Sequence, residues 1–250
     1  KNANEKLFTY ATDLKKEQLT NSKQTSFQPL FSPDGKSIAF LENRGTLKAV
    51  DVKSHKVRTL MDGKYIFSYS DGDVDYEWSP DSRWLLSSYI GKGGWQSDDV
   101  ALVNASGNGE IHNLTNSGYK DSGAKWALGG KAMLFKSDRA GYRSHGSWGA
   151  EQDAYLMFFD QDAYDRFQLN KEERALCDEA RKAKEEEERA KEVANGKKKD
   201  GDKKGEKSDK KSRKDTKAKD EKAADKKSDD KKDDKKKEPL KLDLDNCRDR

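Results

Sequence analysis

The feature of this sequence that most constrains its fold is a repeat of nearly fifty residues. The aromatic residues Phe31, Trp78 and Trp126 lie 47 and 48 residues apart, and a turn-forming stretch and then an apolar run follow each of them. Each unit has room for several short strands joined by turns. A period of about 40 to 50 residues with several strands per unit is typical of the blades of a β-propeller.

The turn after each aromatic residue has a physical reason for its composition. Ser32–Gly35 reads Ser-Pro-Asp-Gly and Ser79–Ser82 reads Ser-Pro-Asp-Ser. Proline presets its own φ angle, aspartate bonds nearby backbone amides, and glycine accepts a positive φ. The third unit has Ala127–Gly130 instead, and its two glycines can preserve the turn. We therefore expect a tight turn between the first two strands of every unit.

The fold class that follows is all-β, a partial β-propeller of four-stranded antiparallel blades over residues 1–169. We expect about three to four blades, with the repeated aromatic residue packed between neighbouring blades rather than against a ligand. Leu7–Tyr10 and Lys16–Leu19 resemble the last two strands of an earlier blade, and we expect further blades before Lys1. The expected strands of the three fuller units are 38–41, 46–52 and 57–60, then 76–78, 84–90, 100–104 and 111–114, and then 124–126, 132–136 and 154–159.

The composition changes sharply after the third unit. Residues 171–237 contain 27 Lys/Arg and 21 Asp/Glu, so the net charge of +4 comes from this region. Asn170 and Glu173 form a capping-box pattern, which predicts a charged, solvated helix over 170–195. Residues 196–237 have too few apolar residues to bury a core and are predicted to be a disordered linker. Residues 238–250 resemble the first strand of a following domain.

Several classes of function are disfavoured by composition. The carboxylates that alternate with lysines in the tail offset most of the gain from binding a nucleic acid, so we expect no nucleic-acid partner. We expect no membrane span, because no apolar run is long enough to cross a bilayer. The two cysteines, Cys177 and Cys247, have no metal-ligand spacing and do not indicate a compartment. We expect no cofactor.

The third unit carries a resemblance to a known family. Lys136–Tyr142, followed by Asp153–Met157, is similar to a blade hairpin of TolB and tricorn-type propellers, and the residues between them form an insertion. Together with Ala163–Phe167, the insertion resembles bacterial tricorn-like serine proteases. This resemblance implies a first propeller, a charged linker, a second propeller, a PDZ domain and a peptidase domain, in a homo-oligomer. It mildly favours the periplasm or cell envelope.

The insertion is the best candidate for a binding site, because loops longer than a repeat requires often carry recognition. Its aromatic and charged side chains suit contacts with a peptide, although packing between domains would use the same residues. Metal binding through His145, Asp138, Glu151 and Asp153 is a weaker alternative, since the spacing matches no known site. The candidate binding residues are Tyr142, Arg143, His145, Trp148 and Glu151.

No catalytic residue is predicted within the chain. His55 and His112 stand where turn and outer-strand residues are expected, and no Gly-x-Ser-x-Gly elbow precedes a helix. The resemblance places the nucleophile of the parent peptidase downstream. The leading hypothesis is a non-catalytic segment for substrate admission or domain assembly, acting on peptides or unfolded polypeptides. The alternatives are a TolB-like scaffold without enzyme activity and a propeller of the prolyl-oligopeptidase type.

Overall fold

The computed structural model describes residues 16–70, 73–91, 94, 97–143, 149–200 and 239–250, with side chains of the last helix described up to residue 191. The described chain forms three antiparallel sheets and two helices. The strands are β1 Ser26–Phe31, β2 Ser37–Glu42, β3 Thr46–Asp51, β4 Val57–Met61, β5 Tyr76–Trp78, β6 Trp84–Tyr89, β7 Asp99–Asn104, β8 Ile111–Asn113, β9 Asp121–Ala127, β10 Ala132–Ser137 and β11 Asp153–Phe158, and the helices are α1 Gln161–Gln168 and α2 Lys171–Asp200.

The sheets follow the repeat in chain order. β1 to β4 form the first sheet and β5 to β8 the second, each with neighbouring strands paired in sequence. The third sheet has three strands in the order β9, β10 and β11. This succession of four-stranded antiparallel sheets confirms the all-β, partial propeller prediction. Of the two strands expected before the first blade, Leu7–Tyr10 lies outside the described residues, and Lys16–Leu19 forms no strand.

The Ser-Pro-Asp turn has the same hydrogen bonds in the first two blades. The Ser32 hydroxyl donates to the Asp34 carboxylate at 2.6 Å, and the Ser79 hydroxyl donates to Asp81 at the same distance. Each serine hydroxyl also accepts the amide of the residue that opens the next strand, Ser37 or Trp84. In the third blade the turn is a short 3-10 segment with Gly129 at φ 69° and no side-chain cap.

Neighbouring blades pack through the repeated aromatic residues. The Trp78 indole donates to the Leu30 carbonyl of the first blade at 3.0 Å, and Trp126 donates to the Glu77 carbonyl of the second at 3.4 Å. Trp78 is 5% exposed, whereas Phe31 at the same position of the first blade is 62% exposed. The described residues include no sheet before β1 that could cover Phe31.

Two apolar clusters form the core between the three blades. The first lies between blades one and two and includes Leu47, Leu85 and Val103. The second lies between blades two and three and includes Leu86 and Met133. Because alternate residues of β6 face opposite neighbours, the middle blade contributes to both clusters.

Residues 239–250, here called the return segment, differ from expectation. They contain no strand and belong to the same compact unit as the propeller, whereas residues 166–236 form a second unit. The Asp243 amide donates to the Phe159 carbonyl at 2.9 Å, and Leu242, Leu244 and the buried Cys247 pack against the cluster between blades two and three. The expected strand is therefore absent from residues 239–250, and their apolar side chains pack against the blades.

The second unit contains the charged helix. The predicted capping box is present, since the Asn170 amide donates to Glu173 at 3.0 Å and the Glu173 amide donates to the Asn170 side chain at 2.9 Å. α2 continues to Asp200, beyond the predicted end at residue 195. Arg166 forms a bidentate ion pair with Asp178. Neither of the described helices is long and apolar enough to cross a membrane.

Candidate functional site

The predicted binding loop leaves the third blade between β10 and β11. Because successive strands are antiparallel, this connection lies on the same side of the sheets as the connections between β6 and β7 and between β8 and β9. We call this side the loop face. Of the predicted binding residues, Tyr142, Arg143 and Glu151 are described on the loop face, whereas His145 and Trp148 lie outside the described residues.

The first anchor of the loop is a buried carboxylate. The Asp138 side chain is fully buried, and it accepts the Lys120 amide at 3.0 Å and the Arg143 Nε at 3.1 Å. The Arg143 guanidinium lies 5.1 Å from the centre of the Tyr119 ring, within the range of a cation–π contact. Since a buried carboxylate is costly without compensation, this network fixes where Arg143 emerges on the loop face.

The second anchor stands beside the first. Arg139 donates through Nη2 to both oxygens of the buried Asp121, at 3.1 Å each, and through Nε to Ser137 at 2.9 Å. Its guanidinium also lies 5.0 Å from the Tyr155 ring centre and 5.4 Å from that of Phe135. These contacts join the starts of β9 and β11 to the end of β10, and they stiffen the base of the loop.

The two arms of the loop approach closely just beyond these anchors. The Glu151 amide donates to the Tyr142 carbonyl at 2.9 Å, and the Tyr142 amide lies 3.5 Å from a Glu151 carboxylate oxygen. A Cβ atom at Gly141 would lie 2.4 Å from the Glu151 carbonyl oxygen, so only glycine fits there. The structure therefore brings the predicted residues Tyr142 and Glu151 together, with the Tyr142 side chain 68% exposed.

The connections from the second blade add carboxylates to the loop face. The buried Asp99 accepts from the Asn113 side chain at 2.7 Å and from the Ser117 amide at 3.1 Å. Partial burial raises the pKa of Asp98, against the opposing effect of the nearby Lys120 cation.

Sequence reasoning missed most of these anchors. The sequence predicts a hairpin at Ser137-Asp138-Arg139 but not its ion pairs. Arg139 pairs with Asp121 at the start of β9, and Asp138 pairs with Arg143 in the insertion. The signal that could have found them is the presence of an aspartate and two arginines, Asp138, Arg139 and Arg143, within six residues directly after β10. No sequence pattern singles out Tyr119, because its contact with Arg143 joins the connection between β8 and β9 to the insertion after β10.

The histidines and possible metal ligands lie apart from this site. His55 contacts Glu17 at 3.2 Å in the turn after β3, and His112 contacts Glu110 at 3.0 Å in the outer strand β8. Within the described part of the chain, no three His, Cys, Asp or Glu side chains group as metal ligands do. Asp138, one member of the weaker metal hypothesis, is bonded to Arg143 and Lys120 instead.

Comparisons with known proteins assign the chain to no family. No family model and no curated protein matches the sequence. A TolB protein from Agrobacterium tumefaciens is 20% identical, with 56% of this chain and 52% of that chain covered and a TM-score of 0.37. A tricorn protease is 14% identical, with 54% and 14% covered and a TM-score of 0.42.

A prolyl endopeptidase structure is 13% identical, with 54% of this chain and 20% of that chain covered and a TM-score of 0.39. The chain thus spans about half the length of the TolB protein and a fifth or less of the two peptidases. All three are distant in sequence. The propeller fold of this chain is evident from its three sheets. Similarity at this level assigns none of these proteins' activities to the chain.

Proposed function

We propose that this chain is the non-catalytic propeller segment of a large tricorn-like serine peptidase, where it serves substrate admission or domain assembly. The observation that carries the proposal is the insertion on the loop face, where the buried carboxylates of Asp121 and Asp138 hold Arg139 and Arg143 and the Tyr142 ring projects into solvent. The family resemblance of the same insertion supports the proposal from the sequence side.

The chemistry of the insertion suits peptides and unfolded polypeptides. An exposed tyrosine and partly exposed arginines are the side chains that most often dominate binding energy at protein surfaces. Their anchoring by buried ion pairs reduces the conformational entropy lost on binding, because the guanidinium groups are already ordered.

The second candidate is a TolB-like scaffold that binds protein partners and has no peptidase downstream. The repeated Ser-Pro-Asp turn and the short four-stranded blades favour this candidate as much as the first, since both classes share them. A propeller of the prolyl-oligopeptidase type would instead require an α/β-hydrolase domain with a Gly-x-Ser-x-Gly elbow in the parent protein.

The experiment that separates these candidates uses the protein encoded by the complete reading frame. The proposal expects PDZ-like and peptidase domains in that frame, and cleavage of casein that a serine-directed inhibitor abolishes. A purified protein that binds other proteins but leaves casein intact would support the scaffold. A reading frame without a peptidase domain would overturn the proposal.

A further inference from the structure

An open cavity lies between blades one and two, on the side of the sheets opposite to the loop face. This side, here called the turn face, carries the Ser-Pro-Asp turns and the connections from β3 to β4 and from β7 to β8. The cavity has a volume of about 430 Å³, which is within the range of sites for small molecules. Its lining includes two arginines, Arg58 of blade one and Arg83 of blade two, together with Ser82, Trp84 and Ser106.

The Arg58 guanidinium is held in the gap between the two blades. Its Nε donates to the Ala105 carbonyl of blade two at 2.7 Å, and its Nη2 donates to the Ser37 hydroxyl of blade one at 3.1 Å. Blade two also packs on the stem of this side chain, since a Cβ added at Gly107 would lie 3.2 Å from Arg58 Cβ. A guanidinium has five N–H groups, so Arg58 presents a fixed positive charge with donors to spare.

Arg83 brings a second positive charge to the same cavity. Its main chain is fixed, because its amide donates to the Asp81 carboxylate at 3.1 Å and its carbonyl accepts from the Ala105 amide at 2.9 Å. Its side chain is exposed. Among the residues that the structure describes, neither Arg58 nor Arg83 forms an ion pair with a carboxylate. Two cations at one cavity, neither of them neutralised by such a pair, create a site for an anion from solution.

Carboxylates of the neighbouring turns are occupied within those turns. Glu110 accepts from the Asn104 side chain at 2.7 Å. Hydrogen bonds from the hydroxyl and amide of Ser54 lower the pKa of Asp51, and the charge of Arg58 adds a smaller effect in the same direction. The charge of Arg58 therefore influences Asp51 at a distance, without a direct contact that would neutralise it.

From this arrangement we propose that the cavity binds a small organic anion. Its carboxylate or phosphate group lies between Arg58 and Arg83, and its apolar body packs against Trp84. Guanidinium groups match the oxygens of both anions with paired hydrogen bonds. This inference goes beyond the proposed peptidase role and does not depend on it, because the turn face includes none of the residues of the insertion.

The test titrates the whole chain with phenyl phosphate and, separately, with benzoate, followed by isothermal titration calorimetry at about 150 mM salt. The two probes share an aromatic ring and differ in the anion, so the tighter of them identifies the preferred group. The proposal expects one site per chain and a Kd on the order of 1 mM or tighter for at least one probe. Phenol, which keeps the ring but has no charge at pH 7, should bind at least about tenfold more weakly. Failure of both anions to saturate the chain up to about 10 mM overturns the proposal.

Arg83→Gln is the variant that tests the site most cleanly, because the Arg83 side chain forms no hydrogen bond or ion pair within the described part of the chain. It should weaken binding of the preferred probe by about tenfold and leave the circular dichroism spectrum unchanged. Lys36→Gln is the matched control, since Lys36 is 77% exposed on the turn face and does not line the cavity. The control should change the Kd by less than about twofold. Unchanged binding in Arg83→Gln, or an equal loss in both variants, overturns the proposal.

A second variant examines Arg58 at constant charge. Arg58→Lys keeps the positive charge but loses the planar group that pairs with two anion oxygens, and we expect a loss of about tenfold in affinity. Since Arg58 also bonds Ala105 and Ser37, the midpoint of thermal unfolding is measured beside the Kd. A folded Arg58→Lys chain that binds the probe as tightly as the wild type contradicts the assignment of Arg58 to the site.

Discussion

The main-chain amide of Asp243 donates to the carbonyl of Phe159 at 2.9 Å, and both residues belong to the unit that contains the blades. Phe159 directly follows the last strand of the third blade, so the chain leaves the propeller and returns to the point of departure. Arg250 continues the contact by donating to the Gln161 side chain at 3.0 Å. The charged residues 166–236, here called the excursion, lie between these two contacts in sequence and form the second unit.

Shortening this excursion tests that relationship. We expect replacement of residues 171–236 by a Gly/Ser linker of about ten residues to preserve the cooperative unfolding of the propeller, because the contacts of the blades and of the return segment lie within one unit. Urea unfolding followed by tryptophan fluorescence measures the change. A chain that loses its cooperative transition would show that the excursion is part of the propeller core.

Gly130→Ala is expected to loosen the packing of Leu240 in the return segment, because the Leu240 methyl groups must move to make room for the added Cβ. Gly130→Ala places a Cβ against Leu240, whereas Gly129→Ala adds a Cβ with no atom within 4 Å. Both glycines have positive φ, so both variants bear backbone strain of about 1 kcal/mol or more. Gly130→Ala alone should also speed alkylation of Cys247, measured in the Cys177→Ser background. Equal rates in the two variants would contradict the close packing of Leu240.

Single substitutions in the Asp121–Arg139 ion pair are expected to destabilise the third blade strongly. Arg139→Gln leaves the buried carboxylate unpaired and should cost about 3–5 kcal/mol of unfolding free energy. Asp121→Asn with Arg139→Gln should cost less than the sum of the two single changes. The exposed Arg181–Glu185 pair on α2 is the control, since Glu185→Gln should cost less than about 0.5 kcal/mol. Additive effects at Asp121 and Arg139 would argue against the ion pair.

Asp98 gives a pH-dependent prediction with a definite sign. Burial raises the pKa of Asp98 above its ordinary value. A carboxyl whose pKa is higher in the folded state favours folding only while it is protonated, and it opposes folding as the pH rises through that range. Asp98→Asn should therefore stabilise the chain at pH 7, and the gain should disappear near pH 3. An equal gain in unfolding free energy at pH 7 and near pH 3 would show that the effect does not come from ionisation of Asp98.

The repeat allowed the fold to be predicted because its signals are local. Pro, Asp and Gly determine the turns at Ser32–Gly35 within a few residues, and the spacing of Trp78 and Trp126 gives the blade length directly. The packing of those two indoles on the preceding blade also followed from the repeat, and the structure confirms it.

The rest depended on contacts that no local pattern encodes. Docking of Leu240 beside Asp81 joins residues 159 apart, and apolar alternation in residues 240–244 suits a strand of another domain equally well. α1 was missed because its eight residues carry only a short amphipathic pattern. At the candidate site, Tyr142 and Glu151 could be selected from the insertion, but the anchoring of Arg143 by Asp138 and Tyr119 required the neighbouring loop.

The most direct test of the proposed function compares long and short substrates in the protein encoded by the complete reading frame. Tyr142→Ala removes the exposed ring at the loop face, and Lys125→Ala, at an exposed position of β9, is the matched surface control. The proposal predicts that kcat/KM for casein falls by about tenfold in Tyr142→Ala, because the substrate loses one anchoring contact. It predicts no change for a short chromogenic peptide and none in the control. Unchanged cleavage of casein, or an equal loss on both substrates, would contradict a role of this loop in substrate admission.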